Sequence, residues 1–143
     1  MNVLVTYSSR SGNTERAAEY IGGAFASKGH DVVVRPWDGL SHHEVSAADL
    51  VCVGTWVHGL FVIGQHAADT DRLKKMPMLW NKPTAAFMTY AINAGRAIDD
   101  MAEFLEEEMG ANVIAGQSMR ARDIAKLTDG FVDDVLSRVT VSA

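Results

Sequence analysis

A chain of 143 residues, 48% apolar and 22% charged, can bury a sizeable core without disulfides or metals, which excludes the disordered and fibrous classes. Its net charge of −5 argues against nucleic acid as a partner, because no basic stripe is present to neutralise phosphates. The lone Cys52, set in an apolar run, excludes an internal disulfide and a cysteine zinc set. In chain order, residues 3–7 (VLVTY) form a short β-branched run closed by Ser, Gly and Asn, which predicts a buried strand. From Thr14 the period changes: Ala17, Ile21, Ala24 and Phe25 recur at helical spacing, and Lys28-Gly29 is a stop signal. Residues 31–35 (DVVVR) predict a second strand, closed by Pro36, and residues 50–54 (LVCVG) a third. Residues 84–90 and 112–115 give a fourth and a fifth. Helical stretches fall at about 64–75, 97–109 and 123–139, while His42-His43 reads as a solvated loop.

Continuous apolar strands alternating with helices imply parallel βαβ units in a doubly wound α/β sheet, here one domain over residues 1–143. No apolar run approaches the roughly 18 residues of a membrane span, and no basic-then-apolar leader opens the chain. The reading is therefore cytoplasmic, without membrane. Ligands of such sheets bind beyond the C-terminal ends of strands, where the strand order reverses. Residues 8–14, 55–61 and 89–95 follow the first, third and fourth strands and are the segments to search.

The first segment, Ser8-Ser9-Arg10-Ser11-Gly12-Asn13-Thr14, joins a strand directly to a helix. It supplies hydroxyls, an amide, a glycine for a tight turn and the free N–H groups of a helix start. Together these can cradle a phosphate dianion without a lysine. The G-x-x-x-x-G-K-[ST] and G-x-G-x-x-G spacings are absent. Simple capping by Asn13 or Thr14 would explain one such residue, but not the whole cluster.

The run Tyr7 to Thr14, with Ala18 four residues on, resembles the flavodoxin signature S/T-x-T/S-G-N-T; Thr6 departs from it, standing where an apolar or aromatic residue is usual. The resemblance implies a three-layer, five-stranded parallel sheet of order 2-1-3-4-5 and a non-covalent FMN. It further implies that Ser9, Arg10, Ser11, Gly12, Asn13 and Thr14 wrap the FMN phosphate. Arg10 is unusual for the family, and its guanidinium either meets phosphate or points to solvent. Receiver-domain acids and a phosphatase cysteine are missing from the corresponding places.

In the second segment, Trp56 offers an indole that can lie on a flat ring or close the core edge. The resemblance to flavodoxins with a T-W pair favours the ring and gives Thr55 to the ribityl end. It also places Val57, His58 and Gly59 along the flavin N5 edge. The third segment holds Thr89, Tyr90, Asn93 and Gly95. Tyr90 is either a ring contact or a strand-end core residue, and the Asn93 amide can meet the flavin pyrimidine. The acidic stretch that flavodoxins commonly have here is missing. The short fifth strand resembles the short-chain type.

None of these segments holds a general base, a nucleophile or a metal set, so the chemistry falls to the cofactor. The resemblance implies a monomeric, low-potential electron carrier rather than an enzyme. Its transient partners would be an NAD(P)H-dependent flavodoxin/ferredoxin reductase and an electron-accepting redox enzyme. The rival readings are a flavin-dependent reductase or oxidase, resembling protoporphyrinogen oxidases or quinone reductases, and a binding module that has lost the flavin. The acidic run Asp99 to Glu108 is a solvated face or a guide for a basic partner.

Overall fold

The structure, a computed structural model, describes residues 1–9, 12–58, 66–67, 76–92 and 94–142; for residues 58, 66–67 and 140–142 it describes the backbone. The elements run β1 (Asn2–Tyr7), α1 (Asn13–Ser27), β2 (Asp31–Pro36), α2 (His42–Ala47), β3 (Leu50–His58), β4 (His66–Ala67), β5 (Pro83–Tyr90), α3 (Ala97–Met109), β6 (Asn112–Arg120), a 3-10 turn (Ala121–Asp123) and α4 (Ile124–Ser142). Five strands form a parallel sheet in the order β2-β1-β3-β5-β6, which is 2-1-3-4-5 counted along the parallel strands. The order reverses beside β1, so the C-terminal ends of β1 and β3 border the crevice where such sheets bind ligands.

Each face of the sheet carries its own core. On one, Val3, Val5, Cys52 and Phe87 pack against Ala17, Ile21 and Phe25 of α1 and Phe131, Val132 and Val135 of α4. On the other, Leu4, Val51, Val53 and Met88 meet Val45 of α2 and Met101, Leu105 and Met109 of α3. Side chains alternate along a strand, so β1, β3 and β5 must be apolar at nearly every position, as their continuous runs are. Gly54 has no alternative residue. A Cβ there would overlap the Phe87 ring, so glycine lets the ring lie flat on β3.

The helix stop after α1 forms as expected, with Gly29 at φ 90° and its N–H donating to the Ala26 carbonyl at 3.0 Å. Other boundaries differ. The third strand runs on to His58 instead of ending at Gly54, because Trp56 still pairs with Thr89 of β5 and Val57 and His58 pair antiparallel with β4. Pairing with β5 likewise carries the last strand to Arg120, past the expected end at Ala115. His42 and His43 lie in α2, not in a loop. A capping box starts that helix: the Glu44 N–H donates to Ser41 Oγ at 3.1 Å, and the Ser41 N–H to Glu44 Oε1 at 3.2 Å. The sequence Ser41-His42-His43-Glu44 carried that signal. The helix expected over 64–75 lies outside the described residues except at 66–67, where β4 stands instead.

Candidate functional site

The segment between β1 and α1 is shaped by two local hydrogen bonds. The Ser8 N–H donates to the Gly54 carbonyl at 3.0 Å, which ties the segment to β3. The Gly12 N–H donates to Ser9 Oγ at 3.1 Å; Arg10 and Ser11, between them in the sequence, lie outside the described residues. Gly12 is the N-cap of α1, at φ 91°, ψ −9°, a left-handed conformation that favours glycine. Having no side chain, it cannot cap the first turn. The N–H groups of Asn13, Thr14 and Glu15 precede the first helical bond, in which the Arg16 N–H donates to the Gly12 carbonyl at 2.9 Å. This end of α1 thus offers backbone donors and a positive dipole end to an anion.

Thr14 is placed differently. Its side chain is buried, and its Oγ1 lies 2.8 Å from Thr89 Oγ1, also buried, which bonds the first segment to the third. Thr55 is fully buried as well, so neither threonine presents its hydroxyl at the surface. Trp56 is half-buried at the C-terminal end of β3. Val57, also half-buried, packs against the core beneath α2 and α3. His58 is placed by its backbone pairing with His66, and Gly59 lies outside the described residues.

The third segment begins where β5 ends. Tyr90 is half-buried, and the Arg120 guanidinium lies over its ring at 5.7 Å from the centroid. Gly95 follows at φ 54°, and Asn93 is outside the described residues. By strand alternation Trp56, in register with Cys52 and Gly54, leaves the sheet on the α1–α4 face, while Tyr90, in register with Met88, leaves it on the α2–α3 face. The two aromatics flank the C-terminal edge of the sheet from opposite faces.

Three residues here were not singled out from sequence. Trp37 and Asp38, just beyond β2, line a cavity of about 330 Å³ with Tyr7, Ser8, Ser9 and Glu15. Trp37 is buried, and its Nε1 has no hydrogen-bond partner among the described residues. Burial, then the charges of Glu15 and Glu19, push the Tyr7 hydroxyl above its ordinary pKa. Arg120 is the third. It stands 30 positions from Tyr90, and only the parallel register of β5 and β6 brings the two together. A separate cavity of about 340 Å³ lies toward the opposite end of β1 and β2, lined by Asn2, Leu4, Val33 and Ala47. It is remote from the segments described above. Burial pushes the Cys52 thiol up to about 12, which makes it inert as a nucleophile. Among the described residues no group of side chains could hold a metal ion, and no helix is long and apolar enough to cross a membrane.

Comparison with solved structures finds the same fold repeatedly. An archaeal flavodoxin is 25% identical and matches with a TM-score of 0.67, covering 95% of this chain and 99% of its own. Flavodoxin 2 of Bacillus cereus is 21% identical, with a TM-score of 0.73 over 96% and 99%. Rubredoxin oxygen:oxidoreductase of Desulfovibrio gigas is 19% identical, with a TM-score of 0.65 over 96% of this chain but 37% of that one. Comparison with curated protein sequences finds no match. The flavodoxin domain matches residues 4–129. A doubly wound sheet of order 2-1-3-4-5, a glycine-started α1 at its switch point and that match lead to one conclusion: the chain belongs to the flavodoxin family, flavin-binding electron carriers whose cofactor is FMN.

Proposed function

We propose that this chain holds one FMN at the C-terminal ends of β1, β3 and β5 and serves as a single-cofactor electron carrier. In this reading it takes electrons from an NAD(P)H-dependent reductase and delivers them to a redox enzyme through transient contacts. The observation that carries the proposal is the start of α1. A left-handed glycine N-cap leaves the first-turn N–H groups uncapped beside Ser9, and a Cβ added at Gly12 would meet nothing within 4 Å. That donor set fits a phosphate group, which binds well at an open helix N-terminus. Ser9, Gly12, Asn13 and the Thr14 N–H would hold it, together with Arg10 and Ser11, which stand between them in the sequence.

The aromatics fit the rest of the cofactor. Trp56 and Tyr90, one on each face of the sheet edge, suit a flat ring set between them. Val57 packs against the core, which braces the strand position next to Trp56. FMN supplies the one- and two-electron chemistry; the protein supplies position, stacking and charge. The hydroxyl of Thr14 bonds that of Thr89 inside the protein, linking the first segment to the third.

Two measurements test this. A visible spectrum of the purified protein should show bound flavin, and calorimetry should show FMN binding far more tightly than riboflavin. Equal affinities would mean that the α1 start does not hold the phosphate. Turnover of NADPH with a quinone, without any added reductase, should be slow; rapid unaided turnover would replace the carrier with a flavin-dependent reductase.

A further inference from the structure

We propose that Arg120 is a positioning residue for the flavin edge, holding the Tyr90 ring in place and setting a permanent positive charge beside the isoalloxazine. The proposal rests on the FMN reading above. Tyr90 closes β5 and Arg120 closes β6, and the two residues are partners across these parallel strands. Their side chains therefore leave the sheet on the same face. The guanidinium carbon lies 5.7 Å from the ring centroid, within the roughly 6 Å range of a cation–π contact. Both residues are half-buried, so water screens the contact only in part. On the other side of β5, Trp56 pairs with Thr89, one position short of Tyr90. The Tyr90–Arg120 pair thus stands at the rim where the ring would lie.

The chemistry of this rim is distinctive. Residues 89–95 read TYAINAG and contain no acid, and the charge seated on the aromatic is positive. Full reduction of FMN takes up two electrons and one proton and leaves an anion. With dithionite as the electron donor, the only change in charge at the ring is that gained by the flavin. A fixed cation stabilises that anion more than the neutral oxidised ring, so Arg120 should raise the reduction potential. The guanidinium keeps its charge at any working pH, so this contribution should not vary with pH.

The test uses Arg120→Gln and Arg120→Lys beside the wild type. In the flavin-free proteins, NMR resolves the ring protons of the three tyrosines, Tyr7, Tyr20 and Tyr90. Arg120→Gln should move the Tyr90 signals and leave the other two in place. In the FMN-loaded proteins, reduction with dithionite against reference dyes should show about a tenfold lower equilibrium constant for two-electron reduction in Arg120→Gln. That corresponds to about 30 mV for a two-electron couple. Arg120→Lys should keep most of the potential while still shifting the Tyr90 ring, because an ammonium group carries the charge without the plane. Unmoved Tyr90 signals in both variants would overturn the clamp. A potential unchanged within twofold in Arg120→Gln would overturn the electrostatic role. Failure of the wild type to take up FMN would defeat the carrier reading instead, while the flavin-free measurement would still decide whether Arg120 holds Tyr90.

Discussion

Replacing Thr14 with valine keeps the shape of the side chain and removes a hydroxyl that stands 2.8 Å from Thr89 Oγ1 in a fully buried setting. The bond joins the helix start of α1 to the end of β5, 75 positions apart, so it braces two of the three segments around the proposed flavin. Thr14→Val leaves the Thr89 hydroxyl buried without this partner, and an unsatisfied buried hydroxyl costs about 1–3 kcal/mol. Thr89→Val should cost the same for the same reason. The double variant removes both polar groups together and should be nearly as stable as the wild type. The sum of the two single losses should therefore exceed the double loss by about 2–6 kcal/mol, a coupling well above the roughly 0.5 kcal/mol scatter of independent sites. For a domain of this size each kcal/mol moves the melting temperature by about 3–5 °C. Denaturant and thermal melts of the flavin-free proteins read this directly. Additive single and double variants would refute the bond. FMN affinity gives a second reading: if Thr14 acts through its backbone N–H, Thr14→Val should weaken FMN and riboflavin alike. A loss confined to FMN, about 1.5–3 kcal/mol, would show that the hydroxyl turns to the phosphate when the cofactor binds.

Ser9→Ala removes the acceptor of the Gly12 N–H and should weaken FMN by about 1.5–3 kcal/mol, with a smaller effect on riboflavin, measured by calorimetry. Gly54→Ala drives a methyl into the Phe87 ring and should cost about 1–3 kcal/mol in denaturant melts, with little change in FMN affinity once folded. The hydrogen bond from the Arg35 guanidinium holds the Glu44 carboxyl below its ordinary value. Its stabilisation is then present above the unfolded carboxylate pKa and is lost as pH falls through the lower folded one. Glu44→Gln should lower stability at neutral pH and flatten the curve below about pH 4.5, where it converges with the wild type, and a parallel fall in both proteins would contradict this.

Much of the architecture was legible in the residues because it is encoded locally. The runs VLVTY and LVCVG are apolar at nearly every position, as a strand covered on both faces requires, and alternation with helices then dictates parallel pairing. The start of α1 was equally local: a hydroxyl-rich stretch, a glycine and a helix start lie within seven consecutive residues, so their order alone carries the glycine N-cap. What depended on neighbours distant in sequence was not legible. Residues 55–58 read as a loop after a finished strand, and it took pairing with β5 through Trp56 and with β4 at Val57 and His58 to extend β3. That extension assigns Trp56 and Tyr90 to opposite faces of the sheet, because side-chain direction follows strand register rather than composition. The same holds for hydroxyls and charges. Nothing in the spacing of Thr14 and Thr89, or of Tyr90 and Arg120, tells that they meet. A hydrogen bond or a cation–π contact is made across the sheet, and only the packed order β1-β3-β5-β6 brings those side chains within reach.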